Sequence, residues 1–214
     1  LAVDSAGTLW LNQGYRVIRF DGARFRGNRP VADGVLGQPD FTTEDYPALP
    51  STNKFFSRTI AAHGTTLWVW DETNSRILRF DNARSLPNNA SASGVLGAPD
   101  LLTKGGGLTD RLIGGDGSLS FDPAGNLLAV DYNHYRVLRW RAQDTLTSGS
   151  AATSVFYQPN FTTSSPLGVV PSHVLTDGTE SFFMHDQSTR RILRVEYTSG
   201  IPFAGTPAAA NFLG

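Results

Sequence analysis

The sequence predicts an all-β fold, a β-propeller built from four-stranded antiparallel blades, and three observations carry that prediction. Arg76-Ile77-Leu78-Arg79-Phe80 recurs as Arg16-Val17-Ile18-Arg19-Phe20, Arg136-Val137-Leu138-Arg139-Trp140 and Arg191-Ile192-Leu193-Arg194-Val195, at spacings of 60, 60 and 55 residues. A period of that size is the mark of a repeat architecture. Each copy stands third in the same quartet of apolar runs separated by turn residues, which is the content of one propeller blade. Nowhere does a 3.6-residue apolar period of useful length appear, so helices are not expected. Blades are expected at about 1–41, 60–101, 119–161 and 174–214, as a single domain that forms part of a larger ring.

The elements follow in order. In the first unit Leu1-Ala2-Val3-Asp4, closed by Ser5-Ala6-Gly7, reads as a strand and tight turn. Thr8 to Asn12 is the second strand, Arg16 to Phe20 the third, and Gly34 to Phe41 the fourth. Pro39 donates no ladder hydrogen bond and suits the end of an edge strand. The second unit repeats this with Ile60 to Gly64, Leu67 to Asp71, Arg76 to Phe80, and Gly94 to Leu101. The third has Leu119 to Asp122, Leu127 to Asp131, Arg136 to Trp140, and Val155 to Phe161. The fourth has Val174 to Asp177, Phe182 to Asp186, Arg191 to Val195, and a worn last strand near Asn211 to Gly214. Near-continuous apolar runs, in place of clean alternation, are what a sheet buried on both faces requires.

Composition narrows the function classes. The formal net charge of -1 gives no global field for nucleic acid or an anionic membrane. The chain has no Cys, which excludes disulfides, thiolate metal sites and thiol nucleophiles. No apolar run approaches the roughly 18 residues of a membrane span. Of the 18 Lys and Arg, only Lys54 and Lys104 are Lys. Planar Arg forks suit fixed hydrogen bonding within a structure, so this bias reads as structural. The chain opens on Leu1, directly in a strand, which suggests processing or a longer parent chain.

Two segments carry a family resemblance. Asp71-Glu72-Thr73-Asn74-Ser75-Arg76 and Asp131-Tyr132-Asn133-His134-Tyr135-Arg136 place Asp, Asn (Asn74, Asn133) and Arg as in the turn of the NHL repeat. Asp186 and Arg191 keep the ends of that pattern, with Ser188 or Thr189 in place of Asn, and the first unit loses its Asp. The segment Val35 to Thr43, echoed from Val95 and Val155, is similar to long-repeat bacterial NHL proteins. The resemblance implies a propeller that closes with six blades, of which this chain supplies four, and an extracellular or periplasmic location. Physically, Asp71, Asn74, Arg76, Asp131, Asn133, Arg136, Asp186 and Arg191 read as turn-fixing groups, because Asp and Asn bond nearby backbone and Arg braces it.

No motif fixes a chemistry. His63, His134, His173 and His185 show neither HxH nor HExxH spacing and are not expected to converge, so no metal ligand set and no cofactor are assigned. Gly105-Gly106-Gly107 lacks a lysine at phosphate-loop spacing and reads as a loop. Loops from fourth to first strands and from second to third strands share one rim in a propeller. That rim would carry Arg58, Arg111, Asp116, Tyr132, His134, Tyr135 and His173 as binding residues. Glu44, Asp45, Asp110 and Asp116 dilute its basic character, which argues against RNA. The leading expectation is a non-enzymatic binding or scaffold module presenting this rim to a protein or glycan partner. The alternative is a zinc- or calcium-dependent lyase or lactonase-type propeller enzyme with further ligands in other blades. An RNA-binding adaptor is the third and weaker reading.

Overall fold

The computed structural model describes residues 1–22, 27–46, 49–197, 203–205 and 209–213, the last stretch for its backbone path alone. Four antiparallel four-stranded sheets follow one another along the chain. Blade 1 holds β1 (Ala2–Val3), β2 (Leu9–Asn12), β3 (Val17–Phe20) and β4 (Gly34–Leu36). Blade 2 holds β5 (Ser57–His63), β6 (Thr66–Asp71), β7 (Arg76–Phe80) and β8 (Gly94–Leu96). Blade 3 holds β9 (Gly117–Phe121), β10 (Leu127–Asp131), β11 (Arg136–Trp140) and β12 (Ser154–Phe156). Blade 4 holds β13 (Pro171–Thr176), β14 (Ser181–Asp186), β15 (Arg191–Glu196) and β17 (Ala209–Leu213). The short β16 (Ala204–Gly205) leaves blade 4 and adds a parallel fifth strand to β12. Residues 23–26, 47–48, 198–202, 206–208 and 214 of the expected units lie outside the described residues.

Every residue of β7 and β11 is buried, because each central blade packs on both faces. Three apolar clusters fill the spaces between blades. Trp10, Val17, Phe55, Leu67 and Phe80 join blades 1 and 2, and Trp68, Trp70, Ile77, Ile113 and Trp140 join blades 2 and 3. Leu128, Val137, Phe156, Phe182 and Tyr197 join blades 3 and 4. First strands lie side by side in the order β1, β5, β9, β13, and no comparable contact joins β13 to β1 among the described residues.

Strand ends depart from the sequence reading in two ways. The fourth strands stop after three residues, at Leu36, Leu96 and Phe156, not near residues 41, 101 and 161. At Gly37 (φ 91°) and Gly97 (φ 76°) the backbone turns into the left-handed region and leaves the sheet. Tyr157 holds the same place in blade 3 with φ 69°, and its buried ring helps fill the cluster between blades 3 and 4. First strands begin earlier than expected, at Ser57, Gly117 and Pro171, because these residues pair with the turn aspartates or beside them: Ser57 opposite Asp71, Gly117 opposite Asp131, Pro171 opposite Asp186.

A repeated interlock ties each blade to the next. The edge strand β4 receives a backbone bond from Asn89 N–H to the Val35 carbonyl, and β8 one from Gly149 N–H to the Val95 carbonyl. In blade 3, Val155 and Tyr157 N–H donate to the carbonyls of Phe203 and Gly205. Each covering group comes from the connection between the third and fourth strands of the following blade. The second Arg of the repeated motif reaches the same connection: Arg19 donates to the Arg84 carbonyl and Arg79 to the Thr145 carbonyl. Edge strands are thereby closed off from outside pairing.

Candidate functional site

The rim is built by the turns after the second strands. In blade 2 the Asp71 carboxylate accepts the Phe56 backbone N–H (3.1 Å) on Oδ1, and Asn74 Nδ2 (2.9 Å) and Arg76 Nε (2.8 Å) on Oδ2. Arg76 spends its other two nitrogens on the Leu101 and Ser51 carbonyls. In blade 3 Asp131 accepts the Gly114 N–H (2.9 Å), His134 Nδ1 (2.8 Å) and Arg136 Nε (2.9 Å). Asp71, Asp131, Arg76 and Arg136 have fully buried side chains. In blade 4 Asp186 accepts the Val170 N–H and the hydroxyls of Ser188 and Thr189. Burial works to raise the Asp186 pKa, but these bonds outweigh it and hold the carboxyl below its ordinary value. The carboxylate thus anchors the incoming loop just ahead of the first strand, once in each of blades 2, 3 and 4.

Three assignments change in detail. His134, three residues after Asp131, fills the role of Asn74, whereas Asn133 points outward and is exposed. Arg191 is exposed, unlike the caged Arg76 and Arg136. Gln13 takes the place of the missing Asp in blade 1, where its Oε1 accepts Arg16 Nε at 2.8 Å.

These anchored loops bring Arg58, Asp116, Gly117, Tyr132, Ser172, His173 and Gln187 around one cavity of about 230 Å³ at the starts of β5, β9 and β13. Four of the expected rim residues, Arg58, Asp116, Tyr132 and His173, therefore meet. Arg58 Nε donates to Asp116 Oδ1 at 2.9 Å across blades 2 and 3, and both side chains stay partly exposed. Tyr132 donates its hydroxyl to Gln187 Oε1 at 2.7 Å, across blades 3 and 4. The Ser172 hydroxyl lies 2.6 Å from His185 Nδ1 and 3.3 Å from His173 Nδ1.

The other expected rim residues are placed elsewhere. His134 is bound into its turn by Asp131. Tyr135 occupies the left-handed end of the same turn (φ 51°), and its carbonyl accepts Gln158 Nε2. Arg111 faces a separate cleft with Arg141 and Asp144, and donates to the Gly149 carbonyl at 2.6 Å. It is drawn off the rim because its loop runs outward to meet the next blade's connection. His173 and His185 do come together, against the expectation for the histidines: they are directly opposed in the β13–β14 register, with ring centroids 6.4 Å apart. Sequence reading missed Ser172 and Gln187 as cavity residues, and His185 as the partner of Ser172. The one available signal was that a Ser-His pair at the start of a first strand must oppose the end of the second.

Beside the cavity and sharing Asp116, a shallower depression is lined by Tyr15, Tyr46, Phe56, Glu72, Thr73, Lys104 and Asn133. Tyr15 packs edge-on to Phe56 at 5.0 Å and to Tyr46 at 6.0 Å, forming a small aromatic platform on the same rim. Among the described residues no group of three or more His, Asp or Glu side chains is arranged to hold a metal ion. No described helix is long and apolar enough to cross a membrane.

No family model and no curated protein matches this sequence. Solved structures do match. A chain of a mitotic checkpoint complex is 10% identical with a TM-score of 0.55, covering 100% of this chain and 52% of that one. A chain of a nidogen/laminin complex is 14% identical with a TM-score of 0.52, covering 91% and 57%. A protein of unknown function from Bacteroides caccae is 7% identical with a TM-score of 0.51, covering 100% and 59%. The present chain thus spans between half and three fifths of the length of these structures. Its four antiparallel sheets, ordered side by side around their first strands, and this likeness together assign the chain to the β-propeller fold.

Proposed function

We propose that the chain is an exported, NHL-type, non-enzymatic binding module that presents the rim around Arg58, Asp116, Tyr132 and His173 to a protein or glycan partner. One observation carries the reading. Loops from three blades converge on a small, open cavity lined by a cation, an anion, a phenol, an imidazole, a hydroxyl and an amide, next to the exposed ring of Tyr46 and the partly buried rings of Tyr15 and Phe56. Such a lining offers paired donors and acceptors for a polar group, and the rings offer an apolar face for stacking. At about 230 Å³ the cavity is smaller than the roughly 300–1,000 Å³ of enclosed small-molecule sites, and suits one side chain or sugar ring of a larger partner. Anchoring of the loops by buried Asp–Arg pairs keeps this surface rigid, which lowers the entropy cost of association. The NHL assignment rests on the repeated Asp-to-Arg turn, and the exported location on the Val35 to Thr43 segment.

The test is a binding screen against arrayed glycans and peptides, followed by titration of the best ligand. Arg58→Ala combined with Tyr132→Ala is expected to weaken binding at least tenfold while leaving the thermal midpoint within a few degrees. Undiminished binding by that variant would remove the rim from the argument. A second reading, a metal-dependent lyase or lactonase, draws on the two imidazoles meeting at Ser172. Stoichiometric zinc or calcium in the purified protein, lost in His173→Ala, would favour it over the binding module.

A further inference from the structure

The repeat supplies a standard against which single residues stand out. One backbone bond fixes the residue just before the first strand in blades 2, 3 and 4. The Phe56, Asp116 and Val170 carbonyls accept the N–H groups of Glu72, Tyr132 and Gln187 respectively. This position therefore takes an aromatic ring, a carboxylate or an aliphatic chain, and the fold does not call for Phe56. Tyr46 is a second such residue. Gln38 Oε1 accepts the Asp45 N–H as Gln158 Oε1 accepts the Ser165 N–H, which makes Pro166 the counterpart of Tyr46 in blade 3. Tyr46 is 58% exposed, so packing does not account for its ring either.

These two rings and Tyr15 are held together firmly. Phe56 donates its N–H to Asp71 (3.1 Å), and the Ser57 N–H donates to the Gly14 carbonyl of the blade 1 turn (2.7 Å). The Tyr46 hydroxyl lies 3.2 Å from the Thr73 hydroxyl of the blade 2 turn. Ring centroids stand 5.0 Å apart for Tyr15 and Phe56, 6.0 Å for Tyr15 and Tyr46, and 6.3 Å for Tyr46 and Phe56. The rings thus pack on one another, with no space between them for a caged cation. They form a platform at the junction of blades 1 and 2, a junction the chain makes within itself.

The surroundings of the platform select among ligand classes. The depression measures about 620 Å³, within the roughly 300–1,000 Å³ of small-ligand sites, and Asp116 joins it to the 230 Å³ cavity. Among the described residues, no Ala, Val, Leu, Ile, Met or Pro lines either space. An aliphatic or proline-rich peptide would strip water from polar groups there without pairing them, which is costly. The charges balance. Arg58 and Lys104 are matched by Asp116 and Glu72, and Arg58 already pairs with Asp116 at 2.9 Å. A single nucleic-acid strand requires a positive groove beside its stacking rings, which this balance does not provide. A sugar ring offers a face of C–H groups to lie on the aromatic faces, and an edge of hydroxyls that both donate and accept. The Asn133 amide and the Glu72 and Asp116 carboxylates supply planar partners for that edge.

We propose that the rim binds a neutral oligosaccharide, with one sugar ring stacked on the Tyr46, Tyr15 and Phe56 platform and the chain continuing past Asp116 into the cavity at Tyr132 and Gln187. The inference rests on the reading of the rim as a binding surface, and narrows its partner to an uncharged glycan chain. Both spaces open on the same rim and share Asp116, so a chain of linked rings engages them together. Once the first ring is stacked, the next is present at high effective concentration, and affinity grows with chain length.

Calorimetric titration of the 214-residue chain with cello-, xylo-, manno-, malto- and chitohexaose, their monosaccharides and a single-stranded hexaribonucleotide tests the proposal. At least one hexasaccharide is expected to bind tenfold or more tightly than its monosaccharide, with little change on adding salt. Tyr46→Ala is expected to weaken that binding at least tenfold, and Tyr46→Phe by less than threefold, because the ring and not the hydroxyl carries the stacking. Tyr46 is exposed, so both variants are expected to keep the wild-type thermal midpoint within a few degrees. No binding of any hexasaccharide at millimolar concentration overturns the proposal. So does binding indifferent to Tyr46→Ala, or a preference for the ribonucleotide. A peptide that binds the wild type and is lost in Arg58→Ala with Tyr132→Ala, with no response to any sugar, overturns the glycan while the rim stands as a binding surface. Sugar binding unaffected by Tyr46→Ala and by that double variant overturns both.

Discussion

Arg76 shows why the repeat uses arginine at its first basic position. Its three nitrogens lie in one plane and reach three acceptors in different directions: Asp71, the Leu101 carbonyl behind β8, and the Ser51 carbonyl of the incoming loop. A lysine ammonium on a flexible stem satisfies the carboxylate and leaves both carbonyls without a donor. Each buried polar group so orphaned costs about 1–3 kcal/mol, so Arg76→Lys is expected to lower unfolding stability by roughly 2–4 kcal/mol. The equivalent change at Arg16 is expected to cost under ~1 kcal/mol, because solvent reaches its partner Glu44, whose side chain is 60% exposed. Urea unfolding checks both, through a shift in midpoint at constant slope. Equal losses at the two sites would mean that the buried fork is not what sets the strength of the turn. The second basic position does different work. Arg79 stacks near the Trp68 ring and reaches the Thr145 carbonyl of the next blade, so one five-residue motif fixes both the rim turn and the blade spacing.

At the scale of elements, the loop leaving the fourth strand of blades 1, 2 and 3 is held by a carboxylate or amide turn. Asp40 accepts the backbone N–H groups of Thr42 (2.8 Å) and Thr43 (2.7 Å), which hold its pKa down at about 2. Asp100 is lowered in the same direction, first by the Leu102 N–H. The folded value lies below the ordinary carboxylate value of roughly 3.9. The unfolded chain therefore takes up the proton first, and this stabilisation is present above about pH 4 and lost as pH falls toward about 2. Blade 3 has Asn160 at this position, accepting the Thr162 N–H at 2.9 Å without a titrating group. Asp40→Asn with Asp100→Asn is accordingly expected to flatten the fall in urea midpoint between pH 4 and pH 2.5. An unchanged slope would place the acid sensitivity in other carboxylates, such as Asp177, which the Ser181 hydroxyl holds well below the usual range. These turns were open to sequence reading in part. The second and third strands stood out because their apolar runs are unbroken and their turns repeat. The shortness of the fourth strands did not, since Val-Leu-Gly and Val-Phe-Tyr look equally extended until the left-handed residue is seen. The strand β16 and the interlock were invisible, because Arg19, Asn89 and Gly149 act on partners 54 to 65 residues away, in a neighbouring repeat. At the site, Arg58, Asp116, Tyr132 and His173 were legible from loop position. Ser172 and Gln187 were not, for their role comes from strand register and not from residue type.

At the scale of the whole molecule, a row of blades that touch only their neighbours is held by local sheet strength and by the contacts between blades. Among the described residues, blades 2 and 3 each have two such contacts, and blades 1 and 4 have one. The opening free energy should therefore be graded along the chain, highest where both faces are covered. Buried side chains follow that grading: β7 and β11 are buried at every position, whereas β15 is exposed at Arg191, Ile192 and Glu196. Native-state hydrogen exchange on the 214-residue chain is expected to find the slowest amides in β6, β7, β10 and β11. Those of β2, β3, β14 and β15 should exchange at least tenfold faster, since cover on one face alone removes more than the ~1.4 kcal/mol that a tenfold difference represents. Uniform protection across all four blades would contradict the nearest-neighbour picture itself, because it would require cooperativity that the contacts between adjacent blades do not supply.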